Sequence, residues 1–177
     1  MRGVKVLVRR EGARPHRRRH LAVAVATLAI LASACGMYDA TPAPPGCPSY
    51  PPDGIKSTLQ NQTNVDRAGV GLPALWWNAR LACVAQEWSD YMAGSGQFRH
   101  RDLGALIRSP GFEDYASLAE NILVGPGNMD ANTIHQSWMN SPGHRANLLG
   151  DFDAIGIGIS RGADGRLWAT ENFGRHF

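Results

Sequence analysis

A change of hydrophobic period, and the hairpin that follows it, predict an α+β layered domain. From about residue 55 to residue 150 the apolar positions recur at helical spacing, whereas Ile155, Ile157 and Ile159 alternate with Gly156, Gly158 and Ser160. The turn Gly162-Ala163-Asp164-Gly165 then leads into Leu-Trp-Ala-Thr-Glu-Asn-Phe-Gly, so the end of the chain reads as an antiparallel hairpin. Helices first and a hairpin last favour a layered α+β arrangement.

The elements follow in order. Ile55–Gly69 reads as a first helix, with Leu59 and Val65 inward and Gly69 as its stop. Gly-Leu-Pro-Ala-Leu-Trp-Trp makes a turn and a short extended piece. Asn78 caps a second helix on which Leu81, Val84, Ala85, Trp88, Tyr91 and Met92 share a face, ended by Gly94. A loop region carrying Phe-Arg-His-Arg-Asp and Leu-Ala-Glu-Asn-Ile-Leu-Val-Gly comes next. Asp130 caps a third helix with Ile134 and Trp138 on one face. Ser141 is a good N-cap, Pro142 suits the first helical position, and Gly150 closes a short helix. His144 therefore sits at the third position of that helix, where the dipole disfavours an imidazolium. The bare face of Gly156 and Gly158 lets another backbone come close.

The chain ahead of this domain reads differently. Residues 1–20 hold eight Lys and Arg against one acid, and the apolar run Leu21–Ala34 follows, ending in Ala-Ser-Ala before Cys35. A basic region, a short apolar run and small residues before a cut describe an export signal over residues 1–34. The run is short for a permanent membrane span. Leu-Ala-Ser-Ala-Cys resembles the bacterial lipobox, which implies a lipidated Cys35 as the new N-terminus; an ordinary secreted chain with a free Cys35 is the alternative. Residues 35–54, with six prolines, form a semi-rigid spacer, and the domain covers residues 55–177. Cleavage before Cys35 leaves ten basic and fourteen acidic residues, a net charge of −4, so the whole-chain isoelectric point of about 9.0 belongs to the leader. Nucleic acid is thereby excluded as a partner. With Cys35 lipidated, Cys47 and Cys83 remain to pair in an oxidising compartment.

His100, Glu120 and His144 are the candidate ligands or catalysts. Two imidazoles and a carboxylate suit a first-row metal, zinc above all, but no local motif joins them. Each could instead satisfy a loop or a helix end. Ser141 is a cap rather than a nucleophile. The five tryptophans read as packing residues, Asn121 and Asn147 as residues that hold loops, and His135 as a solvated helix residue. His16, His20 and His176 lie near the termini and do no chemistry.

Read together, Trp-Asn-Ala-Arg-Leu-Ala-Cys-Val-Ala-Gln-Glu-Trp-Ser-Asp-Tyr-Met, Phe-Arg-His-Arg-Asp, Ala-Glu-Asn-Ile, Trp-Met-Asn-Ser-Pro-Gly-His-Arg-Ala-Asn-Leu-Leu, Ile-Gly-Ile-Gly-Ile and Trp-Ala-Thr-Glu-Asn-Phe-Gly resemble, in this order, the CAP superfamily. The name joins cysteine-rich secretory proteins, antigen 5 and pathogenesis-related 1 proteins, and the resemblance covers Ser57–Gly174. It implies a three-layer α-β-α sandwich around a central antiparallel sheet, and a cleft of two histidines and two acids. The first histidine falls on His100, the first glutamate on Glu120 (with Ala119 for the usual glycine) and the second histidine on His144. The second acid has no counterpart, because Met139, Asn140, Ser141 and Pro142 follow Trp138; Asn140 or Ser141 would bind only weakly or through water. The resemblance thus implies at most a weak site for Zn2+ or another divalent metal. It leaves two functions: a cell-surface module that binds a lipid, glycan or protein, or a hydrolase of peptide or envelope material with His100, Glu120 and His144 as its catalytic set. In either case a lipid anchor makes the membrane a partner.

The lipid reading has a direct check. Cys35→Ala is expected to move the chain from the membrane fraction to the medium or to leave it unprocessed; unchanged fractionation and intact mass contradict lipidation at Cys35.

Overall fold

The computed structural model describes Val6–Arg9, Cys47 and Gly54–Phe177. The apolar run Leu21–Ala34, Cys35 and most of the spacer lie outside the described residues. Among the described residues no helix is long and apolar enough to cross a membrane.

Among these residues five strands form one sheet in the order β1-β3-β5-β4-β2. They are β1 (Val6–Arg9), β2 (Trp76–Trp77), β3 (Tyr115–Pro126), β4 (Ala154–Arg161) and β5 (Arg166–His176). All neighbours run antiparallel except the two-residue β2, which pairs parallel to β4. β4 and β5 are the expected hairpin. β3 corrects the sequence reading: Leu-Ala-Glu-Asn-Ile-Leu-Val-Gly is not loop but the middle of a twelve-residue strand. It is buried on both faces along most of its length, so it shows a continuous run instead of alternation. β1 falls in the segment read as leader.

Helices cover both faces. On one side lie α2 (Ala79–Ser95) and the short α3 (Leu103–Leu106); on the other lie α1 (Gly54–Gly69), α4 (Ala131–Met139) and α5 (Pro142–Leu148). The expected three layers are therefore present. Leu59, Ile134, Trp138 and Leu148 meet Ile155, Ile157, Ala169 and Phe173 in the larger core. On the other face Leu81, Leu103, Leu106, Phe112, Leu118 and Ala154 form a second cluster.

Asn78 caps α2 as expected, its side-chain oxygen accepting the Leu81 N–H at 2.9 Å. The helix runs past Gly94 and stops at Gly96, which takes the left-handed conformation at φ 70°. Its buried face is Leu81, Ala85, Ser89 and Met92 rather than the full apolar set, and Tyr91 is exposed. α1 also differs. Leu59, Thr63 and Arg67, spaced by one turn, face inward, and Val65 is 70% exposed. Two of the three inward residues are polar, so an apolar pattern could not mark this face.

The glycine face of β4 seats α2. A Cβ on Gly156 would stand 2.1 Å from the Ala82 nitrogen, and one on Gly158 2.3 Å from the Ala85 carbonyl carbon. Ser89 uses this proximity, donating to the Gly158 carbonyl at 3.0 Å and lying 2.9 Å from the Thr170 hydroxyl. Cys47 is bonded to Cys83 of α2, as the cysteine count suggested. For a separation of 36 residues the bridge removes roughly 3–4 kcal/mol of unfolded-chain entropy in the loop-closure model.

Backbone atoms cannot swing aside as side-chain ends can. Gly158→Val is accordingly expected to cost about 3 kcal/mol, read as a lower urea midpoint, whereas Ser160→Val at the edge of the hairpin leaves the midpoint nearly unchanged. Equal midpoints for wild type and Gly158→Val contradict the close seat.

Candidate functional site

Three elements supply the site. β3 carries Glu120, the segment between α2 and α3 carries His100, and the first turn of α5 carries His144.

The His100 segment is fastened to α2 by its neighbours on either side. Trp88 donates its indole N–H to the Arg99 carbonyl at 3.0 Å, and the Arg99 guanidinium lies 5.2 Å from the ring centres of the stacked pair Trp88 and Tyr91. Arg101 donates to the Val84 carbonyl at 3.0 Å. With both arginines turned to α2, His100 is directed at β3. This is the work of Trp88, half-buried against Met92, Ile122 and Trp168 as a packing residue, and of Tyr91, which sequence reasoning placed inward and which is exposed beneath the arginine.

His100 and Glu120 form a pair. His100 Nδ1 lies 2.8 Å from Glu120 Oε1, and the Arg101 backbone N–H donates to the same oxygen at 3.0 Å. The contact puts a proton on Nδ1 and leaves Nε2 as the other functional atom of the ring. Glu120 is fully buried, while the His100 side chain is 17% exposed.

His144 approaches from α5. Ser141 takes the N-cap backbone conformation, but its side chain makes no capping bond. The α5 backbone is tied to β3 instead. Asn121 donates to the His144 carbonyl at 3.2 Å, and Asn147 donates to the Glu120 carbonyl at 3.3 Å and to the Asn121 side-chain oxygen at 2.9 Å. The two asparagines thus hold a helix to a strand, not loops. Burial lowers the His144 pKa below its usual 6.5, and the neighbouring His100 lowers it further. His144 is therefore neutral at pH 7, in keeping with its place at a helix N-terminus.

Several buried polar atoms here have no hydrogen-bond partner among the described residues. They are His100 Nε2, Glu120 Oε2, both ring nitrogens of His144 and the side-chain amide of Asn172. Asn172 lies directly across from Glu120 in the β3–β5 register. Unpaired buried polar atoms are expensive, so a cluster of them marks a place for water, an ion or a ligand. As donors, the imidazoles and the carboxylate are of the right kind for zinc. Their spacing is not that of a formed metal site. Among the described residues, the group of three such ligands within 4.8 Å of one another is Cys47, Cys83 and Glu87, and its two sulfurs are already joined. The structure brings His100 onto Glu120 and sets His144 near enough to feel His100, without gathering all three ligand atoms to that distance.

Sequence reasoning missed Glu171. It lies on β5 between Ala169 and Phe173, on the core face, and its Oε2 accepts from Asn121 at 3.3 Å. Burial pushes its pKa from 4.5 up to about 8, against smaller opposing effects of Asn121 and Thr63. Extending the alternation of the last strand to Glu171 would have exposed this. His135 also differs from expectation: it is 3% exposed and its Nε2 lies 2.7 Å from Asp66, joining α4 to α1. His176 contacts Asp153 at 2.8 Å and packs on Tyr115, a structural role.

The profile of the cysteine-rich secretory protein family matches residues 60–173. The chain is 32% identical over 128 residues to an uncharacterized membrane protein of Bacillus subtilis, YlbC, covering 67% of this chain and 35% of that one. It thus spans about a third of that relative. An extracellular protein of Bacillus anthracis containing an SCP domain superposes with a TM-score of 0.58 at 31% identity, over 68% of this chain and 40% of that one. An outer surface protein of Borrelia burgdorferi shares the fold, with a TM-score of 0.59 at 22% identity over 67% of this chain and 90% of that one.

Glu171 gives a pH test with a definite sign. Between pH 4.5 and 8 the folded carboxyl keeps a proton that the unfolded one has lost, so stability falls as pH rises through this window and levels off above it. His144 acts oppositely, costing stability as pH drops below 6.5. From pH 6.5 to 8 the wild type is expected to lose stability relative to Glu171→Gln, whose neutral amide does not titrate. Denaturation midpoints measured side by side check it; a constant difference across this range contradicts a buried, protonated Glu171.

Proposed function

The chain belongs to the cysteine-rich secretory protein family, and from that premise we propose that it is a non-catalytic binding module displayed at the cell envelope. Lipid on Cys35 holds it, the spacer of residues 35–54 stands it off the surface, and the ligand is a lipid, glycan or protein. The state of Glu120 carries this reading. Its carboxylate is fully buried, and one oxygen is already engaged by His100 and by the Arg101 N–H. A general base needs to reach a substrate or its water, and a carboxylate that fastens a loop to a strand is poorly placed for that. Ser141, at the mouth of α5, has no side-chain bond in its cap, so nothing there marks it as an activated nucleophile. An open groove between α1 and α4, lined by Thr58, Asn61, Gln62, Asp66, His135 and Gln136 together with the exposed Val65, adds a mixed polar and apolar surface suited to ligand contact.

A second reading, a hydrolase, draws support from His144. Its two unpaired nitrogens and lowered pKa make it a neutral imidazole free to take a proton or to ligate. In that case His100, Glu120 and His144 would hold zinc or another divalent metal, which would supply Lewis acidity and a water of lowered pKa. This chain's own part would be the neutral ring of His144 and the Glu120 hydrogen bond that orients His100.

Binding and turnover are measured together. The exported chain is incubated with labelled peptidoglycan fragments, phospholipid vesicles and envelope protein extract, with and without chelator. Retention without turnover, unchanged by chelator and in His100→Ala/His144→Ala, is the expected result. Turnover that disappears in that double variant would falsify the binding-module reading and establish the hydrolase. Zinc calorimetry is expected to show at most weak binding, weakening further as pH falls below the His144 pKa, itself lowered from 6.5 by burial, and that ring protonates.

A further inference from the structure

The edge of the sheet beside Glu120 is filled by the chain's own residues 6–9. β1 runs antiparallel to β3 with Val6 opposite Glu120, Leu7 opposite Ala119, Val8 opposite Leu118 and Arg9 opposite Ser117. Val8 packs against the cluster that contains Leu103, Leu106 and Leu118. The strand therefore lies in a slot with β3 as its inner wall and α3 beside it.

We propose that this slot, between the Ser117–Glu120 edge of β3 and α3, is a binding site for an extended peptide added as an antiparallel strand. Residues 6–9 are its occupant in the full chain, and the preferred ligand places a Val-sized apolar side chain in the seat of Val8. The proposal rests on the binding-module reading and names its ligand as a peptide.

Four observations point the same way. The opposite edge of β3 is paired with β5 along its length, so the Ser117–Glu120 edge is where a further strand can add. An unpaired edge offers a row of backbone donors and acceptors, the basis of peptide recognition by strand addition. Specificity in that mode comes from the seats of alternate side chains, and Val8 is seated, partly buried, against an apolar cluster that includes Leu103 and Leu106 of α3. The present occupant is weakly committed: β1 is four residues long and joins the Cys47–Cys83 anchor on α2 through residues 10–46. So long a tether holds a strand at a local concentration of roughly millimolar or less, which an outside peptide can match. Finally, cleavage before Cys35, expected from the sequence, removes residues 6–9 together with the leader. Processing would then open the slot next to the His100–Glu120 pair.

The test uses the unprocessed full chain, which keeps residues 1–34, as wild type and Val8→Asp, and a fluorescent peptide of residues 4–11 (Val-Lys-Val-Leu-Val-Arg-Arg-Glu). Val8→Asp should expel β1 from its apolar seat and leave the slot free. By anisotropy the peptide is expected to bind the Val8→Asp chain at least tenfold more tightly than the wild type, whose slot is filled. The same peptide carrying Asp at position 8 is expected to bind the variant at least tenfold more weakly. Equal binding of both peptides, equal binding to both chains, or no uptake by the Val8→Asp chain overturns the proposal. A variant that turns dimeric by light scattering and takes up no peptide assigns the edge to a second copy, and overturns it too. The envelope assay is scored separately. Envelope retention without peptide uptake removes the slot and keeps the binding module; peptide uptake with envelope turnover keeps the slot and removes the non-catalytic reading.

Discussion

The bond between two buried amides, Asn147 and Asn121, is the contact on which the site depends. α5 has only seven residues and no side-chain cap at its start, so it has little stability of its own. Its position comes from outside. Asn147 reaches the Glu120 carbonyl and the Asn121 oxygen, and Asn121 reaches back to the His144 carbonyl. An amide carries both a donor and an acceptor, and a facing pair can satisfy backbone groups on two elements at once. Replacement by an apolar residue would leave buried carbonyls unpaired, at a cost of about 1–3 kcal/mol each. The same few bonds set Glu120 and His144 in one frame, because they are made to the backbone of those very residues.

The far end of α5 is held by a charge. Arg67 on α1 is 1% exposed and donates to the carbonyls of Pro73, Leu148, Gly150 and Phe152 at 2.8–3.0 Å. Burial lowers its pKa and nearby Asp151 partly offsets this, but a guanidinium stays charged in either case. Carbonyls at a helix C-terminus carry the negative end of the dipole and lack partners within the helix. One planar donor set thus closes α5 and the turn after it. The short helix is pinned at both ends by residues of other elements, which is how a marginal helix can present a histidine at a fixed place.

What the sequence made legible, and what it hid, follow from the same physics. Caps were readable because they are local: Asn78 and Asp130 each bond a backbone N–H three residues on. The glycine face of β4 was readable because a missing Cβ has one common use in a strand. His100, Glu120 and His144 were singled out through ordered motifs; the structure pairs His100 with Glu120 and sets His144 near His100. The hidden features are polar residues doing core work. Thr63, Arg67 and Glu171 face inward without being apolar, so periodicity passed over them and turned Val65 the wrong way. β3 was hidden because burial on both faces erases alternation. His135 was hidden because its partner, Asp66, lies on another helix and no local pattern announces it.

The Cys47–Cys83 bridge also sets how the domain meets mechanical load. Traction applied to the chain upstream of Cys47 is delivered through the sulfurs to α2, in the middle of one face, rather than to the first turn of α1. α2 is seated backbone to backbone on β4, so load entering through the bridge meets the middle of the sheet before it meets the end of the fold. The stretch between Cys47 and α1 lies off the load path. Pulling on the chain upstream of Cys47 therefore does not pass along the backbone into the start of α1, the helix whose Arg67 closes α5.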